Sequence, residues 1–228
     1  KYWNSYLSEA RALARLQPDT PRSFEEMGYA HGNLCELEFD QSSDAAKAEP
    51  DCAKSLALME KAAQSDAKNP KVILALANRQ GWMADIFEVQ GELPKAVAQR
   101  RAEAATLEQL IARDPLNIEY IERANMPAVG LISLYVEQGD IRSAEAVLMR
   151  AIARIDAAIK RADDNPGLRI ERLRLAYYHG EIDRKLGRDW RSRAAQSAEL
   201  ARQVEAQFGS GLRQRTTAFD AIKRQNDR

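Results

Sequence analysis

The sequence has little of what staples a small fold, ligates metals or moves protons. Cys35 and Cys52 are the only cysteines among 228 residues, too few for a disulfide scaffold or a cysteine-based zinc site. They flank one proposed turn, so a bridge between them stays open, but two separate buried thiols are the preferred reading. A bridge would argue for an oxidising compartment. The only histidines, His31 and His179, stand directly before a glycine in "AHG" and "YHG". Neither has a second histidine at ligand spacing and no H-E-x-x-H occurs, so both read as packing residues. "FGSGL" lacks the G-K-[ST] ending of a phosphate loop. The carboxylate pairs Glu25/Glu26 and Asp163/Asp164 fall at helix starts, where the helix dipole accounts for them. No catalytic constellation emerges, so neither an enzyme nor a metal or cofactor is expected.

Long apolar runs are also missing. Charged residues make up 30% of the chain and mean hydropathy is −0.52, with nothing close to the ~20 apolar residues of a spanning helix. A soluble chain is expected, with the cytoplasm favoured over the periplasm. The opening "KYWNSYLSEARALARL" is amphipathic and has neither a signal-peptide pattern nor an initiator methionine, so Lys1 is expected to be a boundary within a longer protein. Net charge is zero but unevenly spread. Residues 1–90 carry 10 Lys/Arg against 14 Asp/Glu (−4), residues 91–167 carry 10 against 12 (−2), and residues 168–228 carry 14 against 8 (+6). The basic last quarter reads as a solvated, arginine-rich helix face. Nucleic-acid contact there is the weaker reading, because aromatics are not interleaved as single-strand binders need.

What is present is a period. Gly91, Gly139 and Gly187 stand 48 apart, and so do Asn69, Asn117 and Asn165. Asparagine is a strong helix N-cap, and the proline after it in "AKNPK" and "DDNPG" suits a first helical position. The glycines sit in "QGE", "QGD" and "LGR", where a left-handed residue can end a helix; Asp140 and Asp189 can cap the helix that follows. Each unit is therefore helix A, a tight turn, helix B and a short loop. Ile121, Ala124, Ala128, Leu131, Ile132 and Tyr135 share one face of an A helix, and Ala144, Val147, Leu148, Ala151, Ile152, Ile155 and Ile159 one face of a B helix. After loops, roughly 20 residues remain per helix, about 30 Å. Such a hairpin cannot bury its stripe alone and must stack on its neighbours.

The frame predicts an all-α chain of about ten helices in one domain spanning 1–228. An orphan B helix covers 2–17, hairpins cover 22–66, 69–114, 117–163 and 166–208, and a capping helix covers 211–228. In the first hairpin "QSSDAAKAEPD" is expected to replace the tight turn with a longer polar loop. Pro127 lies midway along a predicted A helix, where it either kinks the helix or marks a late start.

Small residues at the crossings and turns (Ala84, Gly91 and Ala96; Gly139, Ala144 and Ala151 with Tyr135; Gly32 and Gly180), and the joint "RDPLN", resemble tetratricopeptide (TPR) repeats. The likeness covers nearly the whole chain, but family units are near 34 residues and these are 48, so the helices must be longer. Armadillo- or HEAT-like packing is a lesser possibility. The chain is similar to long-repeat TPR regions that bacteria attach behind signalling domains. The resemblance implies a right-handed α-α superhelix whose A helices line a concave groove for a partner peptide or helix. The groove candidates are Tyr29, Asn33, Glu36, Asp85, Glu88, Met126, Val129, Ser133, Tyr177, Glu181 and Arg184. Acidic groups near the first hairpins, with Arg174, Arg184 and Lys185 further on, would suit a basic or zwitterionic segment. The plainer reading is that these side chains keep an exposed face wet. A structural spacer or self-associating element, giving a homo-oligomer, is the alternative to a protein-binding scaffold; no small-molecule substrate is evident and membrane insertion is not expected.

Overall fold

The computed structural model describes residues 2–42, 44–209 and 217–227, with residues 40–42 described by their backbone alone. All regular structure among them is helical: α1 (Tyr2–Leu16), α2 (Pro21–Ser42), α3 (Ala45–Ser65), α4 (Pro70–Val89), α5 (Leu93–Arg113), α6 (Ile118–Glu137), α7 (Ile141–Ile159), α8 (Pro166–Lys185), α9 (Trp190–Phe208) and α10 (Ala218–Asn226). The fold is an all-helical repeat, and it divides into two compact units, residues 1–115 and 116–228.

The local signals act as their chemistry requires. Asn69, Asn117 and Asn165 each cap a helix, their side-chain oxygens accepting from the backbone N–H of Lys71, Tyr120 and Leu168. Gly91, Gly139 and Gly187 have φ of +75°, +77° and +68°, a region that costs an L side chain strain. Each closes the same double bond. Gly91 N–H donates to the Glu88 carbonyl and Glu92 N–H to that of Phe87; Gly139 and Asp140 do the same to Val136 and Tyr135, and Gly187 and Arg188 to Arg184 and Asp183. The carbonyls left open at a helix end are thereby satisfied. Asp140 and Asp189 then cap α7 and α9 through Ser143 and Ser192.

In the first unit α2 pairs with α3 and α4 with α5, with α1 against α2 and α3 against α4. In the second, α6 pairs with α7 and α8 with α9, α7 lies against α8, and α10 packs on both α8 and α9. Ala48, Ala96 and Ala144, another series with the 48-residue step, are each fully buried near the start of their B helices. A methyl group there lets paired helices approach closely.

Two expectations need correction, and one alternative left open is decided. The long polar loop of the first hairpin is largely helix: α3 begins at Ala45, capped by Asp44, and runs through Pro50. Burial of Ala45 and Ala48 outweighs the lost N–H of one exposed proline. The period itself contained this answer, since α5 and α7 begin at Leu93 and Ile141, and one step back is residue 45. Second, Pro127 does not start its helix; α6 begins at Ile118 and passes through it. Third, Cys35 and Cys52 are bonded to one another, joining α2 to α3. The proposed capping helix is α10 from Ala218 onward, and residues 211–216 of that reading lie outside the described residues.

Candidate functional site

In the first unit the A helices α2 and α4 bring several groove candidates together. A cleft of about 200 Å³ is lined by Cys35, Glu36, Phe39, Cys52, Trp82, Asp85 and Ile86. Its floor is part of a core cluster holding the Cys35–Cys52 bridge with Ala48, Leu56, Met83 and Ile86, against which Phe39 and Trp82 pack. Glu36 is exposed, whereas Tyr29, Asn33, Asp85 and Glu88 are half-buried.

The charges are less free than the sequence suggests. Asp85 is ion-paired with Arg100 of α5, which also donates to Glu103 at 2.8 Å. Glu103 is buried and packs against Gly81, where a β-carbon would stand 3.0 Å from its Oε1. Burial raises the Asp85 and Glu103 carboxyls above their ordinary range and Arg100 pulls them back only in part. Burial would lower Arg100, but the carboxylates around it, Glu88 included, hold it above its usual value. Asp85 thus belongs to the α4–α5 joint as much as to the cleft.

Beside the cleft lies a residue that sequence reasoning did not single out. Arg79 is 4% exposed. Its guanidinium sits 4.2 Å from the Trp82 ring centroid and 5.7 Å from that of Tyr29, pressed onto Gly32, whose missing β-carbon would be 2.6 Å from Nε. Burial lowers its pKa, with Tyr29 and Glu36 opposing. The available signal was the one arginine of α4, standing among the apolar residues of "KVILALANRQGW".

In the second unit Met126 is exposed at 59%, and Val129 and Ser133 are half-buried. Within the same helix, fully buried Asn125 donates to Glu171 at 2.5 Å, and Arg174 donates to Glu171 at 2.7 Å. Burial raises Glu171 despite both partners. Tyr177 and Glu181 lie under α10: the Gln225 amide donates to the Tyr177 carbonyl and to Glu181, each at 3.1 Å, while Arg184 donates to Glu181 at 2.9 Å. The arginines of the basic last quarter are extensively paired, Arg172 with Asp156, Arg188 with Glu145, Arg193 with Asp183 and Arg202 with Glu199. That leaves less of a bare basic face than the charge count implies. His31 is buried with Nδ1 2.5 Å from Asp51, tying α2 to α3, and His179 is half-buried near Arg172 and Arg193. No described helix is long and apolar enough to cross a membrane.

No protein-family model and no curated protein sequence matches the chain. Among solved structures it is similar to that titled "Crystal structure of BtubC (BKLC) from P. vanneervenii", with a TM-score of 0.57 and 14% identity, covering 99% of this chain and 86% of that one. At that identity the likeness is one of fold.

Proposed function

We propose that the chain is a TPR-like, non-catalytic scaffold that holds an extended segment or helix of a partner protein on the face formed by α2 and α4. The carrying observation is the cleft whose walls combine aromatic Phe39 and Trp82 with the carboxylates of Glu36 and Asp85. Aromatic area with a polar rim is the composition of a protein-binding hot spot. The long-repeat resemblance supports reading such a scaffold as part of a bacterial signalling or regulatory protein. The Cys35–Cys52 bond supports an oxidising compartment over the cytoplasm favoured from sequence, since the cytosol keeps thiols reduced.

The test is selection from a random peptide library on the purified chain, followed by chemical-shift mapping of the selected peptides. Perturbations concentrated on α2 and α4, and weakened at least tenfold by Trp82→Ala, are expected. Selected peptides that map to other helices would remove the assignment. A mass in light scattering that doubles with concentration, and falls on blocking the same face, would favour self-association instead.

A further inference from the structure

A pocket of about 60 Å³ in the second unit is lined by Arg172 and His179 of α8 and Arg193 of α9, together with apolar Ala176 and Leu200. No carboxylate is among its lining residues. Arg172, Ala176 and His179 follow one another at four and three residues and so share one face of α8. Tyr177, Glu181 and Arg184, the groove candidates of that helix, project from another side of it. Each arginine is held through its Nε: Arg172 donates to Asp156 of α7 at 2.7 Å and Arg193 to Asp183 at 3.0 Å. Nη1 of Arg193 also donates to the Gln196 amide oxygen at 3.0 Å. Among the described residues, both terminal nitrogens of Arg172, Nη2 of Arg193 and both ring nitrogens of His179 make no hydrogen bond, and none of them is sealed from solvent. Packing alone does not call for cations here. One and two steps of the repeat earlier, the A helices carry Ala124 and Leu131, then Leu76 and Met83, where α8 carries Arg172 and His179.

The charge around the pocket is balanced while the imidazole is neutral. Arg172, Arg188 and Arg193 are set against Asp156, Glu145 and Asp183, each arginine in an ion pair. His179 therefore decides the sign. Burial is the first cause that lowers its pKa; Arg193 and Arg172 add to it, while Asp183 and Glu145 oppose. A protonated imidazole brings one more positive charge and a second N–H donor. Donors converging from three side chains suit a tetrahedral oxyanion, whose oxygens point in different directions and each accept a charge-assisted bond.

We propose that this pocket binds a tetrahedral oxyanion of the phosphate class through Arg172, Arg193 and protonated His179. The site is separate from the α2–α4 face and stands or falls independently of the scaffold reading. The same chemistry is carried by free inorganic phosphate and by a phosphorylated side chain of a partner segment. Occupancy strengthens as the imidazole takes up its proton, so binding depends on pH in the range where histidine titrates.

The test uses the whole chain and follows the His179 ring resonances by NMR, with His31, bonded to Asp51, as internal reference. Sulfate is the first probe, because its charge is constant while histidine titrates, and chloride at equal ionic strength is the control. A saturable shift of His179 with sulfate and none with chloride is expected, and saturation should raise the His179 pKa. Sulfate should bind about tenfold more tightly at about pH 6 than at about pH 8, the effect of one added charge and donor. Arg172→Gln and Arg193→Gln should each weaken sulfate about tenfold, the loss of one charge-assisted hydrogen bond. If these variants fail to fold, His179→Gln still decides: followed through the Gln196 and Ser197 amide resonances, it should show no gain in sulfate affinity toward low pH. Inorganic phosphate and phosphoserine blocked at both ends then separate the sources. Saturation by inorganic phosphate alone assigns a free anion, and saturation by blocked phosphoserine as well assigns a phosphorylated partner segment. No saturable shift with sulfate or phosphate, unchanged affinity in both arginine variants, or a low-pH gain kept in His179→Gln overturns the proposal.

Discussion

The guanidinium of Arg79 occupies the volume that a side chain on Gly32 would need, 2.6 Å from the position of its missing β-carbon. The same relationship recurs in the second unit, where the Gln225 amide fills the space over Gly180 at 2.6 Å. In each case a glycine of an A helix receives a long polar side chain from the next A-type helix. The glycines are there for close approach, since both are buried within helices and neither has a left-handed backbone.

Gly32→Ala should therefore cost about 1–3 kcal/mol, the usual penalty of overpacking a filled site. The Arg79 side chain would leave its stack on Trp82, and indole fluorescence would report the change. Adding Arg79→Ala to Gly32→Ala should recover part of the loss, because the two residues share one space. Strictly additive urea midpoints would contradict this.

Reduction of the Cys35–Cys52 bond, or the double change to serine, should destabilise the first unit by about 3 kcal/mol, as expected for a loop of this length. The measurement is urea unfolding with and without reductant, the serine variant being insensitive to reductant. Thiol alkylation of unfolded, unreduced protein should add no mass.

Pro127 lies inside α6 and leaves the carbonyl of Arg123 without its i+4 donor. Pro127→Ala restores that N–H and costs only a small packing loss, so a net gain of about 1 kcal/mol is expected. A fall in the urea midpoint would mean that the proline ring contributes more by packing than the missing bond costs.

His179 carries a lowered pKa, first from burial and then from Arg193. The folded state thus binds the proton less readily than the unfolded chain, whose value is near 6.5, and stability rises with pH across that interval. Lowering the pH through 6.5 toward the folded value should progressively destabilise the second unit. Glu171 and Glu122, raised by burial, act in the opposite sense at lower pH, so the contribution is read as the difference between wild type and His179→Gln. An unchanged pH slope in that variant would refute the assignment.

The hairpin register was legible because its signals are local. An asparagine cap needs only the N–H groups of the next turn, and a left-handed residue needs only the absence of a β-carbon, so Asn69, Asn117 and Asn165 with Gly91, Gly139 and Gly187 placed most helix ends before any packing was known. The start of α3 is masked by its local cue (Ser, Asp and Pro in sequence signal a loop), although the 48-residue step points to residue 45. Of the candidate residues, Glu36 and Asp85 share one cleft, and the ion pair that Asp85 makes with Arg100 has no signature in the sequence.

Sequence alone thus determined the helices, their 48-residue step and the small residues where they cross, all consequences of backbone conformation and a one-sided apolar stripe. Tertiary structure decided that Asp85 spends its charge on Arg100, that Gln225 covers Glu181, that Cys35 reaches Cys52, and that Arg79 stacks on Trp82. Those outcomes depend on distances between side chains from different helices, set by how the hairpins dock, and no spacing along the chain specifies them.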